Sequence, residues 1–277
     1  MALDPHDIGM CPAILLTDPL DCDAATLERV TRASAAAGFD ALSVWAFYAT
    51  ACGTDRARAL LAELGVAVRV VEAVTQWVDG AGEQLAAEAE ATLDVASALG
   101  ADTLLACTLE PAVASMDRTV EGFAAVCGLA ADRGIRVCIE FLPWSAIPDL
   151  ATAWSIVDGS GAANGGIVID MLHWQRQPGG PNLELLSRIP GERIHFVQVC
   201  DASAAPSASP APDDLMQEAL TARVLPGAGT VDIAALFDTL DRIGADPFFA
   251  YEVFSSALAA NGPEAMAREL RSATRVN

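Results

Sequence analysis

Lysine is missing from this chain: all 16 basic residues are arginine, and they face 37 acidic ones. No lysine Schiff base can form, which removes class I aldolase chemistry. The formal net charge of −21 repels phosphate backbones, so no nucleic-acid partner is expected. Long apolar runs are missing too. No stretch approaches the roughly 20 residues of a membrane span. The opening segment MALDPHDIGM has neither a basic n-region nor an apolar h-region. The expectation is a cytoplasmic protein with no membrane partner. A glycine-rich phosphate cradle is also lacking: TDPLDCD follows the first candidate strand, and PGAG (226–229) sits in a long loop. The seven cysteines (Cys11, Cys22, Cys52, Cys107, Cys127, Cys138, Cys200) contain no CxxC pair. They read as structural thiols rather than a disulfide framework or a zinc ribbon.

What is present is a regular alternation. Candidate strands are PAILLT (12–17), ALSVW (41–45), VAVRVVE (66–72), DTLLACT (102–108), VCIEFL (137–142), GIVIDM (166–171), IHFVQV (194–199) and FFAYEVF (248–254). Helical stretches lie between them, among them 23–38, 83–100, 116–134 and 230–244, each closed by a glycine (Gly38, Gly100, Gly134, Gly244) in the C′ manner. Strand starts recur about every 25 to 35 residues, the length of one βα unit, and eight such units close into a barrel. The predicted fold is α/β, a single (β/α)8 TIM barrel over residues 1–277. The open doubly wound alternative wants a glycine-rich first turn that is not there. One interval is long: the loop between the seventh strand and the helix that follows it, at about 201–230, rich in Ala, Pro and Ser. It reads either as a surface linker or as a loop over the barrel mouth that carries Arg223 inward.

Four apolar runs end in an oxygen-bearing side chain: Glu140, Asp170, Gln198 and Glu252. A carboxylate closing a buried strand is costly unless something pairs with it. Parallel strands of one barrel bring such residues to the same rim, where they repel each other unless a cation sits between them. The four are read as ligands of one divalent metal ion. An all-oxygen set favours Mn²⁺ or Mg²⁺, with Co²⁺ or Zn²⁺ as alternatives. His173 lies three residues after Asp170, where the chain can fold back over the rim. It is a candidate for substrate contact or proton transfer, or else a hydrogen-bonding support. His195 should face the helices, and His6 the surface. Trp45, Trp77, Trp144 and Trp174 fall at or just past strand ends, either as barrel packing or as an apolar collar around a substrate. Glu72 and Glu110 are weaker candidates, read as partners for arginines such as Arg69.

IEFLPW (139–144), IDMLHWQR (169–176), IHFVQVCDA (194–202), RVLPGAGTVD (223–232) and YEVFS (251–255), with SVWAF (43–47) earlier, resemble the xylose isomerase-like TIM-barrel family of sugar isomerases and epimerases. Within it, the part resembled is the branch that also holds the 3-dehydroshikimate dehydratases. The resemblance carries the metal ligands onto Glu140, Asp170, Gln198 and Glu252, and substrate contact onto His173. An anion- or hydroxyl-binding role falls on Arg223, while Trp144 and Trp45 are expected to flank the substrate. Leu142 stands where those dehydratases often have histidine. The implied chemistry is an isomerase or epimerase acting on a small polyol or hydroxy-ketone, sugar or cyclitol. A proton next to the carbonyl is removed through a metal-stabilised enediolate, with Glu140 and Glu252 as the acid/base pair. The alternative is a lyase of the dehydratase type, or a natural-product tailoring enzyme using the same enolisation. A homodimer would suit the family.

Overall fold

Eight strands, every neighbouring pair parallel, close on themselves in the order β1 to β8. They are β1 (Ile8–Met10), β2 (Ala41–Trp45), β3 (Ala67–Val74), β4 (Thr103–Ala106), β5 (Arg136–Ile139), β6 (Gly165–Asp170), β7 (Ile194–Val199) and β8 (Phe248–Tyr251). The coordinates are a computed structural model that describes residues 7–204 and 210–272. His6 lies outside the described residues. The helices are α1 (Ala24–Ala36), α2 (Ala46–Cys52), α3 (Thr54–Leu64), α4 (Glu83–Leu99), α5 (Met116–Ala131), α6 (Leu150–Ser160), α7 (Met171–Arg176), α8 (Leu183–Leu186), α9 (Pro212–Thr221), α10 (Ile233–Arg242), α11 (Ser256–Ala259) and α12 (Pro263–Ser272). The (β/α)8 barrel expected from the alternation is the observed architecture. No helix among the described residues is long and apolar enough to cross a membrane.

The first strand is a correction. It is Ile8–Met10, and Pro12–Leu15 of the expected strand form a buried 3-10 turn instead. Pro12 has no N–H to offer a ladder and sits at the start of that turn. The wall at β1 is tight, because a Cβ on Gly9 would come within 2.5 Å of Ala41 O and of the Phe248 ring.

Alternation sorts the side chains into two layers. Outward residues such as Val137, Ile139, Val197 and Val199 join the large core shared with the helices. Inward residues Val70, Leu105, Cys138, Val168, Phe196, Phe248 and Ala250 fill the barrel interior. The floor is closed by the stacked Phe196–Phe248 pair at 5.7 Å and by Arg69 over Phe248. Arg69 and Arg136 both pair with Asp102 there. His195, at the start of β7, is buried. Burial and the nearby Arg136 push its imidazole down to about 4.

Candidate metal centre and active site

Period-2 alternation builds the rim. Two residues past the inward Val70, Cys138, Val168, Phe196 and Ala250 come Glu72, Glu140, Asp170, Gln198 and Glu252, all buried. Register sets two of them side by side, for Asp170 on β6 pairs with Gln198 on β7. Asp170 also caps α7, its Oδ1 accepting from the His173 N–H at 2.9 Å. That turn folds His173 back over the rim, with Nε2 3.5 Å from Glu140 Oε1 and Nδ1 3.8 Å from Asp170 Oδ1. Glu140, Asp170 and His173 each offer a ligand atom within 4.8 Å of the others. His173 is therefore close enough to act as a ligand, a role the sequence reading did not give it.

Arg223 enters from the segment after β7. Its Nη1 donates to Asp170 Oδ2, to Glu252 Oε2 at 3.2 Å and to Glu252 O at 3.0 Å. Its guanidinium also lies over the Phe254 ring at 5.4 Å. The described part of the 201–230 segment contains α9 and is bridged at Asp201–Val224 and Ala222–Ser255. Trp144 stands edge-on to His173, with centroids 5.1 Å apart. Trp45 packs against Phe47, Tyr48 and Phe254. The four-tryptophan collar does not form: Trp77 and Trp174 are fully buried core residues, and Trp77 Nε1 donates to Cys107 O.

Glu72 is the second correction. It makes no pair with Arg69, whose partner is Asp102, and points into the barrel, where Ser43 Oγ donates to it. Burial, reinforced by the charge on Glu140, pushes its carboxyl up to about 8 against hydrogen bonds from Ser43 and Trp45. The signal available in sequence was its place two residues after an apolar inward position. Glu110, by contrast, is exposed.

The charges are unbalanced. Burial raises Asp170, but Arg223, His173 and a hydrogen bond shared with Glu252 outweigh it and hold the carboxyl at about 2. Burial drives Glu252 the other way, well above the usual range, helped by Glu72 and only partly offset by Arg223. The two carboxyls are thus shifted in opposite directions on one rim, as crowded buried carboxyls are. Beside them Gln198, 1% exposed, has no hydrogen-bond partner on either Oε1 or Nε2 among the described residues. A buried amide left bare next to crowded carboxylates is expensive. A hard divalent cation fits this donor set, satisfying the amide oxygen and neutralising the carboxylates.

The chain is 26% identical to a 3-dehydroshikimate dehydratase of Pseudomonas putida over 246 residues, 85% of this chain but 37% of that protein. It thus spans little more than a third of that relative's length. An inosose isomerase of Bacillus velezensis is 27% identical over 128 residues, 46% of this chain and 42% of its own. A solved structure described as the IOLI protein with a binding zinc atom superposes with a TM-score of 0.78, covering 96% of each chain at 18% identity. That likeness shows the fold. A family model described as xylose isomerase-like TIM barrel matches residues 31–275. With the rim built as it is, that match makes this chain a member of the xylose isomerase-like TIM-barrel family.

Proposed function

We propose that this chain is a divalent-metal-dependent enzyme that removes a proton next to the carbonyl of a small hydroxy-ketone, a sugar, cyclitol or similar polyol. The observation that carries the reading is the bare, buried Gln198 amide beside three crowded carboxylates. Glu140, Asp170, Gln198 and Glu252 would hold the ion, Mn²⁺ or Mg²⁺ by preference for an all-oxygen set. When bound, the ion supplies Lewis-acid polarisation of the substrate oxygens. Glu140 and Glu252 are the acid/base pair on opposite faces of the substrate. His173 contacts a substrate hydroxyl and backs Glu140. Trp144 and Trp45 flank the ring and exclude water, and Arg223 binds a substrate oxygen.

Return of the proton to the neighbouring carbon gives isomerisation, and return to the opposite face gives epimerisation. Loss of a β-hydroxyl gives dehydration. Dehydration has its own support, because the dehydratase relatives align over 85% of the chain. A cytoplasmic setting accords with seven free thiols.

Elemental analysis of the wild type beside Asp170→Ala tests the centre. About one equivalent of Mn, Mg, Co or Zn is expected in the former and none in the latter. Wild-type protein that holds no metal after reconstitution would sink the reading. Exchange of solvent deuterium into a panel of hydroxy-ketones tests the chemistry, and Glu252→Gln should slow it by about 100-fold or more.

A further inference from the structure

Past the end of β7 lies a further buried carboxylate, and among the described residues all the partners of its two oxygens are backbone N–H groups. Asp201 is 1% exposed. Its Oδ1 accepts from the N–H groups of Ala202 and Val231 at 2.8 and 3.0 Å. Its Oδ2 accepts from those of Gly227 and Gly229, at 3.0 Å each. Its own backbone pairs with Val224 through bonds of 2.9 and 3.0 Å. The Thr230 N–H and Oγ1 both donate to the neighbouring Ala202 O, at 2.8 and 3.1 Å.

Backbone N–H groups converging on one point make an anion-binding nest. Here the chain's own carboxylate fills it, so the PGAG turn that is no phosphate cradle is wrapped around Asp201. Gly229 is part of the fit, because a Cβ there would come within 2.3 Å of Asp201 Oδ1 and of Ala202 O. The residue just before this wrapped turn is Arg223. Its N–H donates to Phe254 O at 2.9 Å, and the next residue, Val224, is the bridge partner of Asp201. The Arg223 backbone is thereby clamped from both sides, by the segment that follows β8 and, through Val224, by Asp201.

We infer that Asp201 is the positioning residue of this site: by filling the nest of the 224–231 turn, it sets the backbone from which Arg223 reaches Asp170 and Glu252. The consequence for chemistry rests on the function proposed above, in which those carboxylates hold the ion. The positioning itself does not.

Limited trypsinolysis reads the positioning directly. Trypsin cuts after arginine, and with no lysine in the chain the Arg223–Val224 cut is identified by mass. Asp201→Asn should be cut there about tenfold faster than wild type. Gly229→Ala, which strains the same turn from its other side, should behave alike. Cleavage after Arg136, inside β5, should stay unchanged in both and so separates local loosening from unfolding. Unchanged cleavage at Arg223, or equal acceleration at Arg136, overturns the inference.

Binding of Mn²⁺ alone adds a second readout. Asp201→Asn should shift Kd about tenfold in the wild-type background and less than about twofold in an Arg223→Gln background. Equal shifts in the two backgrounds overturn action through Arg223. If wild type binds no Mn²⁺, the proposed function fails instead, and the Arg223 cut still decides the positioning.

Discussion

Glu72 has the same place on its strand as the proposed ligands, yet its surroundings give it a different proton balance. It is buried, bonded by Ser43 and Trp45, and stays protonated up to about 8 against a usual 4.5. Between those values the folded state holds a proton that the unfolded chain has lost. The stability tied to this group is therefore full below about 4.5 and is lost as pH rises through about 8. Glu72→Gln removes the titration. In chelator-treated protein, its melting temperature should fall less than that of wild type between pH 5 and pH 8.5. Parallel melting curves for the two proteins across that range would refute the assignment.

Elements are positioned by close backbone approaches that single glycines permit. Both Gly122 and Gly128 lie in α5, and propensity alone says that alanine should improve each by roughly 1 kcal/mol. Their environments differ. Gly128 is exposed with nothing within 4 Å of an added Cβ, whereas a Cβ on Gly122 would fall 1.8 Å from Trp77 O. Gly128→Ala should therefore stabilise by about 0.5–1 kcal/mol. Gly122→Ala should destabilise by roughly 2–3 kcal/mol, because α5 must move off the loop after β3. Urea midpoints of the two variants check the opposite signs, and the same sign in both would contradict the packing.

At the scale of the whole molecule, acids outnumber arginines by more than two to one. Surface pairs such as Arg32 with Glu28 and Glu63 absorb only some of that charge, and exposed pairs contribute little. Net self-repulsion remains and is screened by salt. The melting temperature should therefore rise by several degrees between about 0.02 and 0.5 M NaCl. A flat or falling curve would show that the charge is compensated locally.

The barrel, its helix spacing and the rim at Glu140, Asp170, Gln198 and Glu252 were legible in the sequence. Strand alternation and helix-stopping glycines are local properties, so a linear reading finds them. It missed β1, because three residues are too few to show a period and PAILLT is as apolar as a strand. Tertiary structure alone decided which groups face each other. Ser43 meets Glu72 across 29 positions and Arg223 meets Asp170 across 53. Trp77 and Trp174 belong to the core although their sequence positions match those of Trp45 and Trp144. Whether a side chain at a strand end is a ligand, a wall or core depends on what the other seven strands place opposite it. That information arises only when the barrel closes.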